Sequence, residues 1–306
     1  MTAVVVSYNS AQHLALLGHA LSLGSVPPAR MLVVDNASVD NSVACARSAG
    51  FEVYETGSNN GFGAACNAGL RAASTEFVLF CNPDARPGHS ALEDLLTALT
   101  NTPTAAIAGT AFGQPPRARR FSRVTGNFWS LLPGWLQRRV TCLERNMPVD
   151  RSEDQIVVDF VVGAFVLCRV AALRSVGGFD ESFFLYCEEE DLSRRLDKRG
   201  WQTLLVPSAA VAHAPGTSSE GVDRTVMGSF YFHSLYWYYR RYHSRGYAEF
   251  ARCALSLCVI IDRTYRALTR QQQVYGLTTV TASFRSIDAL RRAHERTARA
   301  TQSVRS

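Results

Sequence analysis

The sequence predicts an α/β protein built on a mainly parallel β-sheet with helices on both faces, extended by a helical C-terminal region. Two observations predict the sheet. As far as residue 81, short β-branched runs alternate with segments of helical period, the rhythm of strands joined by crossover helices. Each of the first four runs is followed by Asp or Asn, the side chains expected where a parallel sheet opens onto a ligand crevice. A third observation, a change in composition at Met227, predicts the extension.

Thr2 to Tyr8 (TAVVVSY) reads as the first strand, and Ser10 to Leu23, with Leu14, Leu17 and Leu21 on one face, as the first helix. Met31 to Asp35 is the second strand, Asp40 to Ala49 the second helix and Glu52 to Glu55 a short third strand. Gly63 to Ala73 forms a third helix and Glu76 to Cys81 a fourth strand, which Pro83 stops from continuing. Tyr8 and Asn9, Asp35 and Asn36, Asn59 and Asn60, and Asn82 and Asp84 follow these four strands in turn. One such turn would be ordinary. Four in succession describe a polar crevice suited to a sugar nucleotide and its cation, with Asp84 placed to hold a divalent ion against a diphosphate. The stretch from Gly61 to Cys66 is not a dinucleotide fingerprint, because it lacks the third small residue and follows the third strand rather than the first.

Residues 113–155 break the rhythm. Pro115, Pro116, Pro133 and Pro148 interrupt them, and from Arg117 to Arg145 there are seven Arg and one Glu among Phe121, Phe128, Trp129 and Trp135. This is either a solvated insertion or a lid or lipid-facing arm. Order returns with the apolar run Val157 to Val170 and a short helix. Gly177 to Leu196 (GGFDESFFLYCEEEDLSRRL) then sets four consecutive carboxylates, Glu188 to Asp191, directly after an apolar and aromatic segment. Adjacent acids raise the pKa of the least solvated one, which suits a general base, and equally they suit the first turn of a helix. Thr203 to Pro207 is a further strand, and Ala209 to Ala212 an apolar run ending in the lone His213.

Residues 227–306 carry 13 Arg against 4 Asp and Glu, +9, so the basic character of the whole chain, +6, belongs to this tail. Eight aromatic residues lie between Phe230 and Tyr242, and a second apolar segment, Phe250 to Ile261, runs into Arg263, Arg266 and Arg270. Two amphipathic helices are expected, either packed as core or facing an anionic membrane. Nucleic acid is not an expected partner, because the crevice already accounts for nucleotide chemistry. The eight cysteines, at 45, 66, 81, 142, 168, 187, 253 and 258, contain no CxxC pair and read as reduced residues of a cytosolic protein. With no signal peptide before the first strand and no apolar stretch of spanning length, the expected location is cytoplasmic, peripheral to the inner face of the cell membrane.

Seven motifs in order, VVVSYN from Val4, VVDNASVD from Val33, NNGFGAACNAG from Asn59, NPD at 82–84, VVGAFVLCR from Val161, the Gly177–Leu196 stretch and AVAHAPGTSS from Ala210, resemble an inverting GT-A glycosyltransferase of the family-two type. The resemblance covers residues 2 to about 219, and NPD is similar to the branch of bacterial rhamnosyltransferases acting on polyprenyl-diphosphate-linked glycans. It implies a GT-A catalytic domain over 1–226, carrying the Arg-rich insertion at about 113–155, and a basic helical region over 227–306. It implies a donor site of Tyr8, Asn9, Asp35, Asn60, Asn67 and Asn82, and a Mg²⁺ or Mn²⁺ ion held by Asp84 and His213. Glu189 takes the position of the catalytic base, with Glu188 and Asp191 beside it in the catalytic motif. The implied donor is a dTDP- or UDP-sugar, the acceptor a glycan or polyprenyl-diphosphate-linked glycan, and homo-oligomerisation is compatible with all of this. The competing readings are a sugar-nucleotide pyrophosphorylase, whose Gly-rich basic loop after the first strand is missing from Tyr8 to Gln12, and a non-enzymatic nucleotide-sugar-binding or membrane scaffold.

Overall fold

The computed structural model describes residues 1–112, 117–119, 121, 146–150, 152–213 and 224–269. They form two compact units.

The first unit, drawn from 1–121, 146–182 and 188–218, is a sheet with helices on both faces. Its strands in chain order are β1 (Thr2–Ser7), β2 (Arg30–Asp35), β3 (Glu52–Glu55), β4 (Phe77–Cys81), β5 (Arg86–Pro87), β6 (Ala105–Thr110), β7 (Arg117–Arg119), β8 (Asn146–Pro148), β9 (Ile156–Val158), β10 (Phe165–Arg169), β11 (Gln202–Val206) and β12 (Val211–Ala212). Its helices are α1 (Ala11–Ser22), α2 (Ser42–Ser48), α3 (Phe62–Ala72), α4 (Ala91–Asn101), α5 (Val170–Ser175) and α6 (Glu188–Asp197).

Eight strands make the main sheet in the order β3-β2-β1-β4-β10-β6-β11-β9. The left half is parallel, whereas β10 runs antiparallel to both β4 and β6, and β9 antiparallel to β11. The run from Val157 to Val170 is therefore not one strand. Its first part is an edge strand and its second part lies mid-sheet, separated by Asp159–Ala164. Alternation within β1 shows why the sheet is covered twice. Ala3 and Val5 face a core with Leu14 and Leu17 of α1 and Leu95 and Leu99 of α4, while Val4 faces Cys66 and Leu70 of α3 and Leu192 of α6. A strand buried on both sides reads as a near-continuous apolar run, as β4 and the Ala3–Val6 centre of β1 do. The fit of α3 on β1 depends on Gly69, where an added Cβ would lie 2.3 Å from Val4 Cγ1.

Helix α4 and strand β6 were not read from the sequence, although Leu92, Leu95 and Leu99 of α4 have helical spacing and are buried. Of the Arg-rich stretch, β7 and β8 pair antiparallel, and the expectation of a lid or lipid-facing arm falls chiefly on residues outside those described.

The second unit contains Phe183–Cys187 and, among the described residues, two helices, α7 (Arg224–Tyr242) and α8 (Arg245–Leu268). Ser244 caps α8, accepting from the Tyr247 amide at 3.2 Å. Half of the aromatic run of α7 is core. Phe230, Phe232, Tyr238 and Tyr239 are buried, packing with Phe183, Phe184 and Leu255, and Tyr186 meets Tyr231 edge to face at 5.8 Å. Of the two readings left open for this run, core packing holds for the buried rings, while Trp237 stays exposed. The apolar face left outside belongs to α8, where Phe250, Leu257, Ile260, Ile261 and Leu268 are exposed. The unit also starts before Met227, since it takes in 183–187 and α7 begins at Arg224.

Candidate active site

Strands β1, β2 and β3 succeed one another to one side and β4 lies on the other side of β1, so the direction of winding reverses between β1 and β4. In an open α/β sheet the crevice forms outside the carboxyl ends at that reversal. Five of the expected residues, Tyr8, Asn9, Asp35, Asn82 and Asp84, follow these strand ends.

Asp35 ends β2 and is 2% exposed. Its carboxylate accepts from the Ser38 amide at 2.9 Å and the Ser38 hydroxyl at 2.6 Å, which fixes the turn that Ala37 makes with φ 63. Asn9, also left-handed at φ 51, accepts from the Val39 amide at 2.9 Å through its side-chain oxygen, while its own amide donates to Ser38 Oγ at 2.9 Å. Asn36 donates to the Gly61 carbonyl at 3.0 Å and so ties this turn to the loop carrying Asn60. Asn60 accepts from the Ser58 hydroxyl at 3.2 Å. Tyr8 stands half-buried at the end of β1. Ser38 is the residue the sequence reading missed; its signal was a serine three residues beyond a strand-end Asp, an Asx turn.

Asn67 lies elsewhere. Its side-chain NH₂ donates to the Phe179 carbonyl and to Glu181 Oε1, both at 2.9 Å, and its oxygen accepts from the Phe179 amide at 2.8 Å. The amide is committed to the Gly177–Ser182 loop, where Gly177 and Gly178 have φ 80 and 75 and a Cβ on Gly178 would meet Asn67 Oδ1 at 2.4 Å.

At the end of β4, Asn82, Pro83 and Asp84 form a turn whose first amide donates to the Ala164 carbonyl at 2.9 Å. The short antiparallel pair β5 and β12, with Ala212 opposite Arg86, brings His213 back to this turn. His213 Nε2 lies 3.3 Å from Asp84 Oδ1 and 3.5 Å from Asn82 Nδ2, and the Phe112 ring packs on the imidazole at 5.3 Å. Both side chains of the Asp84–His213 pair are largely withdrawn from solvent.

On the other side of Ala164 stands α6. A Cβ built on Gly163 would lie 3.9 Å from Glu189 Cβ and 3.6 Å from the Phe62 ring, so this glycine sits directly beside Glu189. The Gly163–Ala164 segment thus has the Asn-Pro-Asp turn on one flank and Glu189 on the other. Tyr186 and Cys187, just before the helix, both have left-handed backbones, φ 71 and 68, a strain on the order of 1–3 kcal/mol each that structures tend to store at functional sites. Within the acidic run the four residues differ. Glu188, Glu190 and Asp191 are buried and Glu189 is half-buried. Asp191 accepts from Arg195 Nε at 2.7 Å, and Arg195 also donates to the Val176 carbonyl at 2.9 Å, so Asp191 anchors α6 to the chain before it.

Glycosyl transferase family 2 matches residues 2–177, more than half of the sequence. The chain belongs to that family. This family 2 glycosyltransferase is 32% identical over 230 residues to the N-acetylglucosaminyl-diphospho-decaprenol L-rhamnosyltransferase of Mycobacterium tuberculosis, covering 69% of this chain and 74% of that protein. It is 28% identical over 171 residues to the rhamnosyltransferase WbbL of Escherichia coli, covering 53% and 61%. The fold is the GT-A fold: the mannosyltransferase PcManGT of Pyrobaculum calidifontis, solved with GDP-Man and Mn²⁺, superposes with a TM-score of 0.57 at 16% identity, covering 97% of this chain and 83% of that one.

Such folds suggest a divalent cation, and the side chains at Asp84 can be tested for one. Among the described residues no group of three or more His, Cys, Asp or Glu converges as a metal site. One carboxylate and one imidazole nitrogen within 3.3 Å of each other nevertheless fit an ion that draws its other ligands from a diphosphate and water, the usual way Mg²⁺ is held. With Asn82 at its first position, the turn has Asp84 as its one carboxylate.

Proposed function

We propose that this glycosyltransferase is inverting and metal-dependent, and that it transfers a sugar, rhamnose from dTDP-rhamnose being the first candidate and a UDP-sugar the next, to a hydroxyl of a polyprenyl-diphosphate-linked glycan in cell-envelope polysaccharide synthesis. One observation carries the reading: the Asn-Pro-Asp turn with its Asp84–His213 pair and Glu189 flank the same two residues, Gly163 and Ala164. A leaving diphosphate and an acceptor hydroxyl can then meet one anomeric carbon from opposite sides. The names of the M. tuberculosis and E. coli relatives support rhamnose, and the former supports the lipid-linked acceptor.

In this scheme Asp35 holds the nucleoside, with Tyr8, Asn9 and Asn60 lining its site and Ser38 fixing its carboxylate. Asn82, Asp84 and His213 face the diphosphate, and a Mg²⁺ or Mn²⁺ ion there supplies Lewis-acid neutralisation of the departing charge. Glu189 removes the acceptor's hydroxyl proton, and the oxygen attacks from the face opposite the diphosphate, inverting the anomeric centre. Asp191 positions the helix rather than touching substrate, and Asn67 positions the loop before it. Catalysis belongs to the first unit.

In this reading the second unit meets the inner membrane surface. No helix among the described residues is long and apolar enough to cross a bilayer. The exposed aliphatic face of α8 and the exposed Arg240, Arg241 and Arg245 suit an anionic lipid surface, with each basic residue near it contributing roughly 1 kcal/mol.

The test is release of nucleoside diphosphate by the full chain from dTDP-rhamnose or UDP-sugars, with a polyprenyl-diphosphate acceptor and Mg²⁺ or Mn²⁺. Glu189→Gln should bind donor and turn over on the order of 10²-fold more slowly. Near-normal turnover in that variant moves the base elsewhere, undiminished activity in EDTA removes the metal, and a requirement for pyrophosphate restores the pyrophosphorylase reading.

A further inference from the structure

Arg86 stands two residues beyond Asp84, and the chemistry above gives it no task. It is half-buried in β5, and among the described residues its guanidinium meets two backbone carbonyls and an imidazole rather than a carboxylate. Nη1 donates to the Pro83 carbonyl at 3.1 Å and to the Ala85 carbonyl at 2.9 Å, so it grips the residues on either side of Asp84. Nη2 lies 3.4 Å from His13 Nδ1, and because a guanidinium only donates, the imidazole accepts there. His13 belongs to the first turn of α1, which is itself bonded back to the nucleoside side of the crevice. Its amide donates to the Ser10 carbonyl at 2.9 Å, and the Ser10 hydroxyl donates to the Tyr8 carbonyl at 3.1 Å. The backbone of Arg86 faces another partner, pairing with Ala212, the residue before His213. A ladder of two residues per strand is marginal alone, and here the Gly88 amide prolongs it by donating to the Ala210 carbonyl at 2.8 Å. Asp84 and His213 therefore reach their 3.3 Å separation through one residue, whose side chain holds the turn of the carboxylate and whose backbone holds the strand leading to the imidazole.

We propose that Arg86 is a positioning residue for the divalent cation: it sets the Asp84 carboxylate against the His213 imidazole so that the pair receives the ion together with the donor's diphosphate. The proposal rests on the metal reading of that pair. Lysine would be a poor substitute, because its ammonium has the charge but not the rigid planar fork that reaches two carbonyls and an imidazole at once. The sign of the charge separates positioning from plain electrostatics. A guanidinium this close to the ion repels it, so by charge alone its removal would tighten cation binding. If Arg86 instead holds the ligands in place, its removal weakens binding, on the order of tenfold, the scale found when groups that orient metal ligands are lost.

The experiment measures Mn²⁺ binding to the full chain without turnover, by water-proton relaxation, which separates protein-bound Mn²⁺ from Mn²⁺ held by free nucleotide. Wild type, Arg86→Met, Arg86→Lys and Asp84→Asn are titrated with Mn²⁺ alone and with Mn²⁺ plus dTDP or UDP, and calorimetry fixes a temperature at which each is folded. Both Arg86 variants should bind Mn²⁺ on the order of tenfold more weakly than wild type, and nucleotide titrated without metal should bind them as it binds the wild type. In turnover, the Mn²⁺ concentration giving half-maximal rate should rise in the same proportion while kcat at saturating Mn²⁺ recovers. A purely structural role would lower Tm and leave the Mn²⁺ affinity of the folded protein intact, which overturns the proposal. So does Arg86→Met binding Mn²⁺ more tightly, or Arg86→Lys restoring full affinity, since either shows that charge and not geometry is what Arg86 contributes. If metal-free nucleotide binding falls while Mn²⁺ affinity holds, Arg86 contacts the diphosphate and the positioning role is likewise overturned. Undiminished Mn²⁺ binding by Asp84→Asn has a different meaning: the metal reading itself fails, and the proposal with it. Should Arg86→Met not fold, Arg86→Lys, which keeps the charge and the aliphatic stem, decides alone.

Discussion

Replacing Asn67 with alanine separates two roles for this residue, a contact to the donor and a clamp on the Gly177–Ser182 loop. The geometry puts nearly all of its hydrogen bonding into the clamp, with three bonds at 2.8 and 2.9 Å reaching 112 to 114 residues along the chain. Alanine would strand the amide and the carbonyl of Phe179, both held in buried bonds, and each orphaned group costs about 1–3 kcal/mol. The bond to Glu181 adds little, because that carboxylate is 54% exposed and water replaces the amide there. Partial hydration of the loose loop offsets some of the loss, leaving about 2–4 kcal/mol, which for a domain of this size lowers Tm by roughly 5–10 °C. Calorimetry on Asn67→Ala, run beside titration with dTDP and UDP, is the assay. Activity should fall with stability, since Phe179 packs against Phe62 at 6.4 Å and Phe80 at 5.4 Å beneath the acidic helix. Nucleotide affinity, measured well below the new Tm, should hold. A variant with unchanged Tm and a nucleotide affinity reduced tenfold or more would refute the clamp and return Asn67 to the donor site.

Two further outcomes follow from the same structure. Asp191→Asn should cost about 2–4 kcal/mol in urea denaturation, because Asp191 is fully buried and Arg195, at 16% side-chain exposure, loses its charge partner; an unchanged midpoint would show that the pair contributes nothing. Leu257→Glu with Ile261→Glu, at 53% and 40% exposure, should leave folding intact and reduce co-sedimentation with anionic vesicles by on the order of tenfold or more, each lost aliphatic contact being worth up to about 1.5 kcal/mol. Unchanged binding there would transfer the membrane role away from α8, and a shift in oligomeric state would identify its face as a contact between copies of this chain.

The parts of the site that were readable in advance are those built from neighbouring residues. Asp35, Asn82 and Asp84 announce themselves by following apolar strand-like runs, and Glu189 by its place in an acidic turn after an aromatic segment. Side-chain assignments that depend on distant partners could not be read from the residues themselves, and the pairing of His213 with Asp84 came only through the family resemblance. Nothing near Asn67 says that it will hold Phe179, and His213 returns to Asp84 through β5 and β12, strands of two residues each that have no periodicity to detect. The run from Val157 to Val170 failed for another reason. A continuous apolar stretch carries no information on where the chain leaves one strand and enters another, and here the break spans Asp159–Ala164, which includes the glycine beside Glu189.

The C-terminal helices show the same limit in a form that bears on function. Helix α8 has two apolar stripes, and the period of 3.6 reveals both without saying which one turns inward. The structure buries Ala248, Ala251, Leu255, Cys258 and Val259 and leaves out Phe250, Leu257, Ile260, Ile261 and Leu268. The stripe left outside is the bulkier one. Burial of a large side chain stabilises by about 1.5–3 kcal/mol, far more than that of an alanine, so a helix optimised for its own unit would bury the larger stripe. The inner stripe is small because α7 supplies the bulk, with Phe232, Tyr238 and Tyr239 filling the space between the helices. An aromatic run that composition left open between core and membrane thus supplies the packing that turns the aliphatic side of α8 outward. Vesicle binding should accordingly respond to substitution at Leu257 and Ile261, whereas Tyr238→Ala and Tyr239→Ala should act first on the folding of the unit.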